Sequence, residues 1–63
     1  MTGTQRLLKV REVALVLGVS ERTVYEMQLT GELPRVKVRS AVRIPEASLA
    51  DWIAEHVEWT ERS

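Results

Sequence analysis

The chain of 63 residues contains no cysteine and a single histidine. A disulfide framework and a thiolate zinc site are therefore excluded, and His56 alone makes no metal site. Long apolar runs are missing too. The longest, Val13 to Leu17, is far too short to span a bilayer, and nothing reads as a signal peptide. The simplest expectation is a cytoplasmic protein with no membrane partner. The chain also lacks bulk. A single domain of this size buries only ~60% of the surface its unfolded chain exposes. So small a core makes a deep catalytic pocket a poor expectation. His56 has no nucleophile beside it, and no carboxylate pair has a pocket context. The expectation is no enzyme, no cofactor and no metal.

Net charge is absent as well, because nine basic and nine acidic residues cancel. Taken whole, that balance argues against nucleic acid as partner. Its distribution argues the other way. Residues 1–45 hold eight basic and four acidic side chains, so +4, and residues 46–63 hold one basic and five acidic, so −4. The stretch 33–45 carries Arg35, Lys37, Arg39 and Arg43 and no acid. Two regions of opposite sign in so short a chain call for two different neighbours.

The polar residues 1–6 and the end of the chain, 59–63, read as flexible tails around one domain over 7–58. Apolar residues at 10, 13, 14 and 17 predict a helix with one buried face, closed by Gly18 in a left-handed turn. Ser20 is a good N-cap for a second helix from about Glu21 to Leu29. Val24 and Met27 point inward on it, and Arg22, Tyr25, Glu26 and Leu29 outward. Gly31 and Pro34 stop it, with Leu33 packing back. Residues 35–44 alternate β-branched at even positions with basic at odd ones. That pattern predicts a two-stranded ribbon, apolar face inward and cationic face outward. Its turn, Arg39–Ser40–Ala41, lacks the usual glycine or asparagine. Pro45 and Glu46 open a third helix, along which Leu49, Trp52, Ile53, His56 and Val57 recur. Trp52 is expected in the core, with His56 on the helix flank. Trp59 lies beyond, as a partner contact or folded back. The fold class is thus mainly α with a small β-hairpin, in the order helix, helix, hairpin, helix.

Ala14, Gly18 and Val24 carry the strongest signal. Two helices joined by a short turn cross closely only if one contact residue is small, and Ala14 supplies it. Gly18 supplies the positive φ, and Val24 is a stiff knob against the first helix. An ordinary helical hairpin satisfies these residues; so does a helix-turn-helix whose second helix enters a DNA major groove. The segments LLKVREVALVLGVSERTVYEM, GELP, VKVRSAVRIP and SLADWIAE follow in order over about residues 7 to 55. In this order the chain resembles the small winged helix-turn-helix proteins of the excisionase family, related to the DNA-binding domain of MerR-type regulators. The resemblance implies a second helix in the major groove, the hairpin as a wing on the backbone or minor groove, and the third helix packed beneath. It also implies cooperative self-association on repeated DNA sites, with bending, and an integrase as a possible partner. No counterpart of the long coiled coil of full MerR regulators is expected.

The candidate DNA-binding residues follow from chemistry. Arg22 can grip a guanine edge or a phosphate, or stay solvated. Ser20 and Thr23 flank the helix start, where hydroxyls and amides meet phosphate; capping is the competing role for Ser20. Tyr25 either donates its hydroxyl to a phosphate or packs half-buried on the wing. Glu26 either accepts from a cytosine amino group or repels phosphates. Arg35, Lys37, Arg39 and Arg43 make the cationic face of the ribbon, with Arg39 and Ser40 at the tip, placed to enter a minor groove. Lys9 and Arg11 are weaker candidates for backbone contact. The chain departs from the family pattern at Glu21, Glu26, Gln28, Leu29, Arg39 and Val42. The acidic segment Glu46 to Glu61 either meets the wing of a neighbouring protomer head-to-tail or forms a solvated helix face. Three functions compete. The first is an excisionase that binds repeated sites and steers an integrase toward excision. The second is a small transcriptional regulator of the same fold. The third is a protein-interaction module without DNA binding.

Overall fold

The computed structural model describes residues 6–58. Trp59, Glu61 and the tails expected at 1–5 and 59–63 lie outside the described residues. Arg6, expected in the flexible tail, is held in place: its carbonyl accepts the Glu46 N–H at 2.8 Å. The elements run β1 (Leu7–Lys9), α1 (Val10–Leu17), α2 (Glu21–Leu29), β2 (Val36–Val38), β3 (Ala41–Pro45) and α3 (Glu46–His56).

Both helices of the first hairpin form where the pattern places them. At the start of α1 the Glu12 carboxylate accepts the Lys9 N–H at 2.8 Å, satisfying a donor that the helix leaves free. Gly18 (φ 72°, ψ 32°) closes α1. The N–H groups of Gly18 and Val19 both donate to the Ala14 carbonyl, at 2.8 and 3.0 Å. Ala14 and Val24 are buried at the crossing, as the spacing predicts. At the other end of α2, Gly31 (φ 87°) lets the Glu32 N–H return to the Met27 carbonyl at 2.9 Å. That bond ends the helix and turns Leu33 into the core.

The sheet differs from the expected ribbon in three respects. First, it has three strands, in the order β1-β3-β2, all antiparallel. β1 went unread because three residues are too few for an alternation to register. Leu8 lies opposite Ile44, and both are buried. Second, the wing turn has two residues, Arg39 and Ser40, and Ala41 already belongs to β3. Arg39 has φ 61° and Ser40 does not share the positive sign. This is the sign pattern of a type II′ turn, whose first central position glycine usually takes. Third, the face assignment holds for β3 and fails for β2. Across the turn Val38 pairs with Ala41, Lys37 with Val42 and Val36 with Arg43. Directly opposed residues share a face. Even positions on one strand therefore meet odd positions on the other. Val42 and Ile44 face the core, whereas Val36 and Val38 emerge beside Arg43 on the opposite side.

The core joins Val10, Val13 and Ala14 of α1, Val24 of α2, Leu33, Leu8 of β1, Ile44 of β3 and Leu49 of α3. β2 alone among the elements contributes nothing buried, which makes it a projecting wing strand. Trp52 is half-buried against this core, less enclosed than expected. Its indole N–H donates to Glu32 at 3.2 Å, and its ring stacks on His56 with centroids 4.0 Å apart. These contacts pin α3 to the loop after α2. No helix among the described residues is long and apolar enough to cross a membrane.

Candidate nucleic-acid interface

The outward face of α2 is the one the periodicity predicts. Glu21, Arg22, Tyr25, Glu26 and Leu29 are exposed, and Val24 is buried beneath them. Ser20 caps this helix: its hydroxyl accepts the Thr23 N–H at 3.2 Å and lies 3.1 Å from the Thr23 hydroxyl. The capping role left open for Ser20 is thus filled. One turn further along, Arg22 and Glu26 form an ion pair at 3.4 Å.

Beside this face lies a concavity of about 430 Å³, lined by Lys9, Val10, Arg11, Glu21, Tyr25, Ser40, Val42 and Arg43. It is built by three elements at once. The junction of β1 and α1 supplies Lys9 and Arg11, α2 supplies Glu21 and Tyr25, and the wing supplies Ser40, Val42 and Arg43. Three cations face one carboxylate there, so the concavity attracts anions even though α2 alone carries two acids and one base. Lys9 and Arg43 come together because they are direct partners across β1 and β3. The Arg43 guanidinium is half-buried and donates to the Val42 carbonyl at 2.9 Å. Tyr25 is 46% exposed, with its ring on the wing side. Both roles weighed for it, packing on the wing and presenting a hydroxyl, are compatible with that position.

Of the sequence-predicted site residues, this concavity gathers Tyr25, Ser40 and Arg43. Arg22 stays on the outer face of α2, and Thr23 and Glu26 line a separate shallow groove with Met27, Thr30 and Glu32. Arg35, Lys37 and Arg39 are exposed on the wing. They do not share one cationic face with Arg43. Lys37 projects with Val42 and Ile44, as the register requires. Lys9 and Arg11, the weaker candidates, line the concavity, and Glu21 joins them. The signal that could have raised Lys9 is Leu7-Leu8 before it: a buried Leu8 in a short strand sends its neighbour Lys9 to the outer face.

Gln28 and Leu29 are inverted in polarity relative to their surroundings. The Gln28 side-chain amide is buried with no hydrogen-bond partner, and Leu29 is 78% exposed. Glu46, Asp51 and Glu55 on α3, and Glu58 after it, are all exposed.

The comparisons with known proteins bear on this arrangement. A family model described as a helix-turn-helix domain matches residues 7–57, which takes in every element from β1 to α3. No curated protein matches, and no solved structure matches.

Proposed function

The chain belongs to the helix-turn-helix domain family, small DNA-binding proteins of excisionase-like kind, and from that premise we propose that it is an excisionase. In this reading α2 enters the major groove of double-stranded DNA. Arg22, Tyr25 and Glu26 meet base edges or flanking phosphates there, with Ser20 and Thr23 at the helix start. The wing residues Arg35, Lys37, Arg39, Ser40 and Arg43 hold the backbone or the minor groove, and Lys9 and Arg11 take phosphates beside them. The observation that carries the reading is the cationic concavity. It links the start of α1, the exposed face of α2 and the wing tip into one surface.

A single copy of so small a domain reads few base pairs, so occupancy of a site calls for several copies in line. The exposed acids of α3 on one protomer and the wing cations of the next supply opposite charges for a head-to-tail contact. Such a row bends the DNA and presents an integrase with a geometry that favours excision over integration. The protein then works in the cytoplasm, on double-stranded DNA beside an attachment site, without cofactor or catalytic residue of its own.

The test has two parts. A gel shift on duplex DNA at about 50 mM salt shows binding, and joint charge reversal of Arg35, Arg39 and Arg43 abolishes it. Footprinting on genomic DNA then yields protected direct repeats beside an attachment site, and adding the protein raises excision in a recombination assay. A shift with no effect on excision, joined to altered transcript levels, favours a transcriptional regulator on this fold. No shift at tens of micromolar protein favours an interaction module, for which Glu21 and Glu26 on the α2 face would be the reason.

A further inference from the structure

Among the described residues there is one ion pair, and it lies on the surface that would face the bases. Arg22 Nε stands 3.4 Å from Glu26 Oε2, with the two side chains 86% and 58% exposed. A pair so open to water adds little to the stability of the fold. Its position is what distinguishes it. Arg22 is the second residue of α2 and Glu26 follows one turn later, on the stripe that also holds Tyr25.

We infer that Glu26 is a positioning residue for base recognition: its carboxylate pairs with the Nε edge of Arg22 and leaves the two terminal amino groups to grip one guanine. This rests on the DNA-binding reading above. The chemistry is that of the guanidinium. It is planar, with five N–H donors in a rigid fork, and a bidentate contact to guanine O6 and N7 uses two of them. With the carboxylate beside Nε, attraction at that edge favours orientations in which the terminal amino groups are free for a base. Without that hold, an exposed arginine swings toward the nearest phosphate, where the charge attraction is greatest. Glu26 opposes the swing in two ways. It keeps an ion pair that the swing would break, and its own charge is repelled by phosphate. Entry into the groove removes water and strengthens the pair. A residue that lowers affinity for DNA in general thus raises discrimination among sequences.

The experiment uses the full chain and separates the charge of Glu26 from the oxygen it places beside Nε of Arg22. Wild-type protein first selects duplexes from a random-sequence library. The selected duplex, a set with each base pair replaced in turn, and unselected duplex DNA are then titrated with wild type, Arg22→Ala, Glu26→Gln and Glu26→Ala. Both Glu26 variants remove the same charge, but only glutamine keeps an oxygen to place beside Nε. We expect both to bind unselected DNA several-fold more tightly and by the same factor. Arg22→Ala should erase the preference for guanine at one position, about 5- to 100-fold in the wild type. Glu26→Ala should erase most of that same preference, and Glu26→Gln should restore it. Both positions under test carry exposed side chains, and circular dichroism verifies that each variant is folded. If Glu26→Ala discriminates as well as wild type, or alanine and glutamine lose the preference equally, Glu26 acts as a charge alone and the inference falls. If wild-type protein binds no duplex at all, the DNA-binding reading falls with it. That result is distinct from a change in preference.

Discussion

Val36 lies directly opposite Arg43 across the β2–β3 ladder, so a valine and an arginine emerge on one face of the wing. A strict alternation of apolar and basic residues makes Val38 and Val42 equivalent. The register does not: Val42 packs against the core, and Val38 is 47% exposed. Val42→Thr should therefore cost about 1–2 kcal/mol, since its hydroxyl enters an apolar setting. Val38→Thr should stay within about 0.5 kcal/mol. Urea unfolding of the two variants decides it, and equal losses would mean that both valines face the core.

The inverted pair at the end of α2 gives a second expectation. Burying an amide without a partner costs about 1–3 kcal/mol. Gln28→Met fills the same space without polar atoms, and should raise stability by about 1 kcal/mol. Leu29→Gln, on the exposed side, should leave stability within about 0.5 kcal/mol. A thermal melt of each variant reads both values, and a destabilised Gln28→Met would show that the amide has a partner in solution.

Gly18 and Arg39 share a positive φ and differ in what they cost. A Cβ added at Gly18 meets nothing within 4 Å, so the penalty of Gly18→Ala is that of the backbone alone, about 1 kcal/mol. Arg39 already bears such a penalty at φ 61°. Arg39→Asn, which tolerates the left-handed region, should stabilise the fold by a few tenths of a kcal/mol or more. The same change should weaken DNA binding by removing a wing-tip cation. Opposite signs in the unfolding and binding measurements are the expected signature, and weaker binding with an unstabilised fold would leave the backbone argument without support.

The salt dependence of binding gives a fourth. With four to six phosphate contacts, log K should fall against log salt with a slope of about −4 to −5. Lys9 and Arg43 are paired across β1 and β3, and each alanine substitution should make the slope shallower by about 1. An unchanged slope for Lys9→Ala would remove the start of α1 from the interface.

The helical hairpin was legible in the sequence almost residue by residue. Its periodicity is long enough to register, and Gly18, Ser20 and Gly31 punctuate it with specific hydrogen bonds. The sheet was legible only in part. β1 has three residues, and its existence depends on Leu8 meeting Ile44, a contact no local pattern encodes. The faces of the wing were misread at β2 because the length of the turn, two residues, sets the phase between its strands. Arg39 in a glycine-like conformation hid that length. For the interface, residue chemistry picked out Arg22, Tyr25 and Arg43. Only the tertiary arrangement could show that Lys9 and Arg11 stand with Tyr25 and Arg43 while Lys37 faces another way.

The central place of β3 also bears on how the molecule reaches its native state. The turn between α1 and α2 brings together residues close in sequence, whereas Leu8 finds Ile44 only after a loop of 35 intervening positions is closed. That closure carries an entropy cost before any contact rewards it. Contacts of high sequence separation are also the ones that slow folding. On a ribosome, β1 emerges first and has no strand to pair with until residues 43–45 have followed it out. The helix that would read DNA therefore belongs to the early, local part of the structure, as does the two-stranded wing, and the pairing of β1 with β3 that brings Lys9 to Arg43 belongs to the part that waits.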